Sequence, residues 1–339
     1  MDNVLELKDL SLSFDTKQGE IQAVRGVNLS LKKGEILAVV GESGCGKTVM
    51  SKAVLKLLPK NSKIKTGSIV IDGEDITGYS ESKMRSLRGS VVSMVFQDPM
   101  TTLNPTIPIG KQIAEAVLKH NKVSREEAKK RALEMLNLVG IDDTVNRYYL
   151  QPHYFSGGMR QRCVLAIALA SNPKVLFADE PTTALDVTVQ AKILDLLLEI
   201  REKTGISIVF ISHDFGVVAR IADRVAVMYA GKIVEIGTVE DIFYDPRHPY
   251  TWGLMSSLPY LAKEGKCLES IQGIPPVMVN LPKGDAFAIR NKYALEIDYE
   301  LEPPMFEISA THSAATWLLD ERAPLIKPPF SIKGGLKHG

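Results

Sequence analysis

The order of apolar and polar residues predicts different kinds of strand in different parts of the chain. Residues 4–14 and 21–31 are predicted to be strands, and apolar positions alternate with polar ones in residues 27–31. Residues 36–40, 175–178 and 206–211 are instead nearly continuous apolar runs, which are typical of strands buried on both faces of a parallel sheet. We therefore predict that the chain is organised around a buried, largely parallel sheet.

Helical periodicity separates these strands. Apolar residues recur at helical spacing in residues 48–58, 110–139, 159–170 and 188–204. Shorter strands are predicted at residues 67–72 and 91–96, and a hairpin is predicted at residues 225–229 and 232–236. Strands that alternate with helices in this way indicate an α/β fold.

The composition changes near residue 245. Beyond it, proline, glycine and aromatic residues become frequent, and helical periodicity fades until residues 314–319. We therefore predict a boundary here, with a large domain at residues 1–245 and a small appended domain at residues 246–339.

The overall composition is that of a globular protein without a membrane span. Of the 339 residues, 45% are hydrophobic and 24% charged, and the net charge of +1 gives no strong field toward nucleic acid or anionic lipid. The chain has no apolar run of the ~20 residues that a spanning helix needs, and no signal peptide is expected at its N-terminus. The scattered Cys45, Cys163 and Cys267 suggest a reducing compartment rather than a disulfide framework. Any work at a membrane is therefore expected to be that of a peripheral subunit.

A phosphate-binding loop is predicted between the first buried strand and the first helix. The residues Gly41-Glu42-Ser43-Gly44-Cys45-Gly46-Lys47-Thr48 have the spacing G-x-x-x-x-G-K-[ST] of the P-loop. Glycines let successive backbone N–H groups point at one anion, and the following helix adds its positive end. Lys47 would then reach the β- and γ-phosphates and the Thr48 hydroxyl would bind Mg²⁺. The alternative is an ordinary glycine-rich turn between a core strand and a core helix.

Two further segments carry candidate residues for nucleotide chemistry, a pair of acids at a strand end and a Ser-Gly-Gly helix start. Asp179 and Glu180 follow a buried strand, whose end should lie at the same sheet edge as the P-loop. Asp179 is a candidate Mg²⁺ ligand and Glu180 a candidate general base for an attacking water. Separately, Ser156, Gly157 and Gly158 begin a helix with Ser156 as its N-cap, which would form a second anion site.

In this order, the P-loop, the Ser-Gly-Gly signature and the Asp-Glu strand resemble the motifs of ATP-binding-cassette (ABC) ATPases, over about residues 4–245. Gln97 resembles the Q-loop glutamine of that family, His213 the switch histidine, and residues 184–186 the D-loop. Phe14 resembles the aromatic residue that stacks on adenine. The resemblance implies a P-loop NTPase fold with an N-terminal antiparallel β subdomain and a helical subdomain at about residues 98–165.

The resemblance also implies the ligands and the roles of individual residues. It implies ATP and Mg²⁺, with two such domains pairing head to tail so that Ser156, Gly157 and Gly158 contact a nucleotide held by the partner. The implied catalytic residues are Glu180, His213 and Lys47, and the implied metal ligands are Thr48, Gln97 and Asp179. The implied nucleotide contacts are Phe14, Gly41, Glu42, Ser43, Gly44, Cys45, Gly46, Lys47, Thr48, Val49, Gln97, Ser156, Gly157 and Gly158.

Finer features resemble the ATPase subunits of oligopeptide/dipeptide permeases. Residues 96–105, 155–162 and 247–251 carry this likeness, and Met100 and Met159 resemble the D-type subunit more than its F-type partner. The resemblance implies oligopeptide uptake in a bacterium, at the cytoplasmic face of the membrane. The implied partners are an F-type ATPase subunit and two transmembrane permease subunits, with an extracellular peptide-binding protein acting indirectly. Residues 98–108 would meet the coupling helix of a membrane subunit. Nucleic acid is not expected as a partner.

Permeases of this kind commonly bind an iron–sulfur cluster through a run G-C-x-F-x-x-R-C-x-x-A-x-x-x-C. The frame survives here in Gly284, Phe287, Arg290 and Ala294, but the cysteine positions are assigned to Asp285, Asn291 and Ile297. Because a cluster of this type needs thiolate ligands, we expect none.

Several alternatives stay open at this point. The cargo of such a subunit could be a dipeptide, nickel or a sugar, because specificity lies in other subunits. A soluble ABC switch acting on nucleic acid or ribosomes is disfavoured by the single cassette and the absence of a basic patch. A regulatory subunit that holds ATP without hydrolysing it is disfavoured by Glu180 and His213. Cys45, at a helix N-terminus, is either a thiolate sensitive to alkylation or simply a small residue that fits.

Overall fold

A computed structural model describes residues 2–98, 102–183, 185–257, 271–279 and 281–330. Its strands are β1 (Asn3–Thr16), β2 (Gly19–Lys32), β3 (Ile36–Val40), β4 (Ser62–Ile71), β5 (Glu74–Asp75), β6 (Val92–Val95), β7 (Val175–Asp179), β8 (Ser207–Ser212), β9 (Arg224–Tyr229), β10 (Lys232–Thr238), β11 (Phe306–Glu307) and β12 (Ser313–Ala314). Its α-helices are α1 (Lys47–Val54), α2 (Glu81–Leu87), α3 (Ile109–His120), α4 (Arg125–Leu138), α5 (Thr144–Arg147), α6 (Gly157–Leu169), α7 (Val187–Thr204), α8 (Phe215–Ile221), α9 (Val239–Tyr244) and α10 (Pro249–Ser256).

The continuous apolar runs form the middle of an eight-stranded sheet with the order β11-β12-β10-β9-β3-β8-β7-β6. From β9 to β6 neighbouring strands are parallel, whereas β10, β12 and β11 add antiparallel to the other side. Every residue of β3, β7 and β8 is buried, as expected for strands covered on both faces. The predicted α/β fold is confirmed.

The strands predicted in the N-terminal segments belong to a separate antiparallel sheet, with the order β2-β1-β4-β5. Its apolar face shares one core with α1 and with side chains from the larger sheet, among them Leu37, Val39 and Met228. This packing fixes the N-terminal sheet beside the loop that joins β3 to α1.

Two of the predicted helices have different limits in the structure. The helical pattern of residues 110–139 forms two helices, α3 and α4, because Ser124 begins a new helix through a reciprocal cap with Glu127. The first helix ends at Val54 rather than residue 58, because Lys56 takes a φ of 50° and the Leu57 N–H bonds back to the Lys52 carbonyl.

The C-terminal residues continue the large sheet. β12 pairs with β10, so the helix expected at residues 314–319 is wrong: this segment begins as a strand and contains only a 3₁₀ turn, Trp317–Leu319. Tyr250 and Phe287 are buried in one core cluster with Val40 and Tyr229, which brings the C-terminal region close to the start of the P-loop. In the part of the chain that the structure describes, the helices are too short or too polar to cross a bilayer.

Candidate nucleotide site

The loop between β3 and α1 has the curled backbone that its glycines allow. Gly41, Gly44 and Gly46 have φ angles of 152°, 81° and 110°, where residues with a side chain are strained. A Cβ at Gly41 would lie 2.2 Å from the Met228 carbonyl oxygen, and one at Gly46 would lie 2.4 Å from that of Ala23. Because both obstacles are backbone atoms, the loop fits between β9 and β2 only with glycine at these positions.

Lys47 is held inside this loop. Its Nζ donates to the carbonyl oxygens of Gly41 at 2.7 Å and Glu42 at 2.9 Å, and the residue is 5% exposed. Ser43 and Gly44, at the tip, are exposed. The ammonium group therefore lies beneath the loop, close to the exposed backbone N–H groups that would receive a phosphate.

Thr48 and Asp179 meet where α1 begins and β7 ends. Thr48 Oγ1 donates to Asp179 Oδ1 at 3.0 Å. Burial raises the pKa of Asp179, the Thr48 hydrogen bond lowers it, and the neighbouring Glu180 carboxylate raises it. A buried carboxylate of this kind is stabilised in its charged form by a nearby cation. Hydroxyl and carboxylate oxygens are ligands that Mg²⁺ prefers, so this donor set fits the metal.

The Glu180 carboxylate contacts three side chains from different parts of the sequence. Its Oε2 accepts hydrogen bonds from Gln97 Nε2 at 3.0 Å and Thr183 Oγ1 at 3.0 Å, and its Oε1 lies 3.3 Å from His213 Nδ1. Glu180 also has a φ of 47°, uncommon for a residue with a side chain. The Glu180 carboxylate is thus fixed at the sheet edge beside Asp179, and the side chain of His213, which contacts it, is mostly exposed.

The Ser-Gly-Gly signature begins α6. Ser156 is the N-cap, with its Oγ 3.4 Å from the Met159 nitrogen, and both Ser156 and Gly157 are exposed. A Cβ at Gly157 would meet nothing within 4 Å, whereas one at Gly158 would lie 2.5 Å from Val189 Cγ1 of α7. The open N–H end of this helix is therefore free to meet another molecule.

The remaining predicted residues have simpler positions. Phe14 lies in β1, partly buried against the core of the N-terminal sheet. Val49 is half-buried on α1 and packs against the same core. Asp186 caps α7 by accepting from the Val189 N–H at 3.0 Å. Ala184, and residues 99–101 of the stretch after Gln97, lie outside the described residues.

Of the two alternatives for Cys45, the structure supports the small residue that fits and not the thiolate. Cys45 is 6% exposed, and burial raises the pKa of its thiol more than nearby Lys47 lowers it. Its Sγ is 2.9 Å from where a Gly41 Cβ would lie. Cys45 is a small residue that fills the inside of the loop.

Sequence patterns did not predict three residues that contact this site. Thr183 bonds to Glu180, as described above. Tyr250 accepts a hydrogen bond from the Glu42 N–H at 2.8 Å, and Arg290 pairs with the Glu42 carboxylate at 2.5 and 2.9 Å. Tyr250 and Arg290 lie in segments that the sequence singled out for their likeness to permease ATPases, but no pattern linked them to the P-loop.

Comparison with known proteins agrees with this geometry. Residues 24–183 match the family described as ABC transporter, and residues 234–297 match the family described as oligopeptide/dipeptide transporter, C-terminal region. The chain is 57% identical to the oligopeptide transport ATP-binding protein OppD of Bacillus subtilis, over 98% of this chain and 94% of that protein. It is 54% identical to the dipeptide transport ATP-binding protein DppD of Lactococcus lactis, over 98% and 95%.

Solved structures give the same result for the fold. The dimeric ATP-binding cassette MJ0796 bound to ADP and Pi superposes with a TM-score of 0.62 at 28% identity, covering 69% of this chain and 98% of that one. CbiO1 of Clostridium perfringens, part of an ABC transporter complex, superposes with a TM-score of 0.62 at 29% identity, covering 72% and 91%. The chain therefore belongs to the ABC transporter family, among the ATP-binding proteins of oligopeptide and dipeptide transport.

Proposed function

We propose that this chain is the ATP-hydrolysing subunit of a membrane importer for oligopeptides. The proposal is supported by the near full-length similarity to proteins named for oligopeptide and dipeptide transport and by the match of its C-terminal region. Residues 1–245 are the proposed ATP-binding domain, and residues 246–339 a domain appended to it.

The observation that carries the proposal is the hydrogen-bonded group around Glu180. A carboxylate that is held by Gln97 and Thr183 and faces His213 is well oriented to accept a proton from water. The water then attacks the γ-phosphate in line, and ADP leaves. His213 orients the γ-phosphate, and Gln97 links the base to the segment that follows β6.

The other end of the site holds the phosphates. Lys47 releases its two loop carbonyls to bind the β- and γ-phosphates, and its charge stabilises the transition state. Thr48, Asp179 and Gln97 are the proposed ligands of Mg²⁺, which supplies charge neutralisation between the phosphates when bound. Phe14 stacks on the adenine ring.

A second ATPase subunit completes the site. The exposed start of α6, with Ser156, Gly157 and Gly158, binds the nucleotide held by the partner, so that ATP joins the two subunits and hydrolysis releases them. We assign an F-type subunit as the partner. The importer has two permease subunits, one of which contacts residues 98–108 at the cytoplasmic face of the membrane, and an extracellular protein delivers the peptide.

Replacing Glu180 by Gln tests this function. In the assembled importer, E180Q should lower phosphate release by at least about 100-fold, because general-base catalysis is lost, while ATP stays bound and the ATPase pair stays associated during gel filtration. Glu199→Gln, at an exposed residue of α7 that pairs with Lys203, is the matched control and should hydrolyse normally. Near-normal hydrolysis by E180Q would overturn the assignment of the base.

The described residues at the family's three cysteine positions do not fit an iron–sulfur cluster. Counted from Ala294, the third cysteine position of the family's run is Asp298, and its assignment to Ile297 was wrong. Asp285, Asn291 and Asp298 are all buried, and each accepts a nearby backbone N–H, from Phe287, Tyr293 and Leu295 respectively. These side chains serve as turn caps where the family has thiolates. We propose that no cluster binds, so iron and sulfide near one cluster per chain in anaerobically purified protein would refute this.

A further inference from the structure

Glu42, the second residue of the P-loop, is held from outside the ATPase core. Arg290 places Nη1 2.5 Å from Glu42 Oε2 and Nη2 2.9 Å from Glu42 Oε1, a bidentate pair. The backbone N–H of the same residue donates to the Tyr250 hydroxyl at 2.8 Å. Tyr250 therefore fixes the backbone of Glu42 and Arg290 fixes its charge, although these residues lie 208 and 248 positions further along the chain.

The guanidinium of Arg290 has little freedom to leave this position. Its Nε donates to the Gln272 carbonyl oxygen at 3.0 Å, and Nη1 lies 3.4 Å from the Tyr229 hydroxyl. The Arg290 side chain is 4% exposed. A buried charge is stable only when it is paired and hydrogen-bonded, so the contact with Glu42 is a fixed part of the fold.

Tyr250 is positioned just as firmly, by the segment Arg247-His248-Pro249-Tyr250-Thr251. The fully buried Glu235 carboxylate accepts the backbone N–H groups of Arg247 at 2.6 Å and His248 at 3.1 Å. His248 Nδ1 in turn accepts the Tyr250 N–H at 3.0 Å, at the start of α10. A continuous set of hydrogen bonds thus runs from β10 to the P-loop, which gives this motif a physical role.

The charge of Glu42 explains what this arrangement can do. Lys47 binds the Glu42 carbonyl oxygen, so the loop positions of Glu42 and of the phosphate-binding lysine depend on each other. A Glu42 carboxylate without its partner would also add a negative charge at the edge of a site for a triphosphate. Arg290 neutralises that charge through its two hydrogen bonds to the carboxylate.

We propose that Arg290 and Tyr250 are positioning residues through which the C-terminal region sets the affinity of the P-loop for ATP. The proposal rests on the proposed function, since it requires ATP to bind at this loop. It concerns binding: Arg290 contacts the loop and no group assigned to proton transfer, so its loss should change KM and leave kcat nearly constant.

The test compares ATP binding in Arg290→Ala with that in the double variant Arg290→Ala/Glu42→Gln. In the full-length protein, R290A should weaken binding of ATP about tenfold by calorimetry, because the carboxylate is freed and the loop loosened. KM of the assembled importer should rise by a similar factor, with kcat changed by less than about twofold. The double variant should recover most of the affinity, since the unpaired charge is gone. Arg322→Ala, which removes an exposed pair with Asp320, is the control and should bind ATP normally.

Each remaining outcome counts against the proposal. Normal ATP affinity in R290A, or a double variant no better than R290A, would show that the contact is structural only. If R290A does not fold, Tyr250→Phe keeps the buried ring and removes only the oxygen that accepts the Glu42 N–H; normal affinity in Y250F then overturns the proposal. Failure of the unaltered protein to bind ATP would instead contradict the proposed function.

Discussion

The P-loop is contacted from two sides by regions of different character. On one side the strand ends bring Asp179 and Glu180 to the sheet edge, where Asp179 accepts a hydrogen bond from Thr48 and Glu180 one from Gln97. On the other side the C-terminal region brings Tyr250 and Arg290 against the outside of the loop. The first side holds groups that can react, whereas the second holds groups that fix the loop.

The carboxylates on the two sides of the loop also differ in whether a cation of the chain balances their charge. Burial raises the pKa of Asp179, so its charged form gains stability when a cation binds. Glu42 already has its cation in Arg290, whose side chain is buried. The Asp179 carboxylate would gain stability from a bound cation, as expected in a binding site. The Glu42 carboxylate is already balanced by Arg290, as expected in a structural contact. The comparison predicts that substitutions on the two sides will differ in size and in kind.

Lys47→Ala should have the largest effect. It removes the ammonium group that lies beneath the loop and leaves the Gly41 and Glu42 carbonyl oxygens without their donor. ATP affinity should fall by at least about 100-fold, since a buried charge-assisted contact is lost, which is well beyond the effect expected on the outer side of the loop. Calorimetric titration with ATP measures it, with the exposed Lys203→Ala as control. If K47A lost no more ATP affinity than R290A, the two sides of the loop would not differ in their effect on binding.

Gly157→Ala tests the second anion site with a minimal change. A Cβ at Gly157 meets nothing within 4 Å, so the isolated subunit should fold and bind ATP normally. In the assembled pair the methyl group should clash with the partner's nucleotide, and turnover should fall by about tenfold or more. Phosphate release and ATP binding are measured on the same preparation. Full turnover by G157A would remove the α6 start from the interface.

The strand-end side could be predicted because its chemistry demands fixed residue types at fixed positions. A loop that cradles phosphate needs glycines and a lysine at set spacing, and carboxylates at the ends of buried strands have only one edge to occupy. Lys47, Thr48 and Asp179 were identified for these reasons, and the structure brings Thr48 and Asp179 within hydrogen-bond distance.

The contacts of the C-terminal side could not be predicted in this way. Tyr250 and Arg290 reach Glu42 only because β10, α10 and the turns near residue 290 pack as they do, and no local spacing records that packing. The two alternatives for Cys45 could not be separated for a related reason: a helix N-terminus favours a thiolate, but burial in the folded loop has the larger effect on the pKa of the thiol. The contacts of Tyr250 and Arg290 with Glu42, and the pKa of the Cys45 thiol, depend on tertiary packing that the local sequence does not specify.

Asp285→Asn tests how the C-terminal region tolerates its buried carboxylates. Burial, with the charges of Asp298 and Glu302, raises the pKa of Asp285 to about 6. The folded state therefore binds this proton more tightly than the unfolded state, whose carboxyl has an ordinary pKa. The resulting stability is present at low pH and is lost as the pH rises from about 4 through about 6.

D285N keeps the oxygen that accepts the Phe287 N–H and cannot ionise, so it should be more stable than the unaltered protein at pH 7.5, by at most about 3 kcal/mol. Thermal unfolding at pH 5 and pH 7.5 measures this, and the gain should shrink at the lower pH. Asp320, a half-buried carboxylate whose pKa Arg322 lowers to about 2, is the control: D320N should not stabilise at pH 7.5. A gain for D285N that is equal at both pH values would show that ionisation is not its cause.

Cys45 should give the smallest effect, because its role is to fill space on the inner side of the loop. In a Cys267→Ser background, alkylation at pH 7.5 should be slow, since burial both raises the pKa of the Cys45 thiol and blocks the reagent. Cys163, fully buried and with its pKa raised to about 12, provides the internal standard for an inert thiol. Cys45→Ala should bind ATP within about twofold of the unaltered protein, because only a small apolar contact is lost. Rapid alkylation of Cys45 that ATP prevents would mean that the loop opens far more readily than its contacts with Tyr250 and Arg290 imply, so this weakest effect also measures how firmly the C-terminal region holds the P-loop.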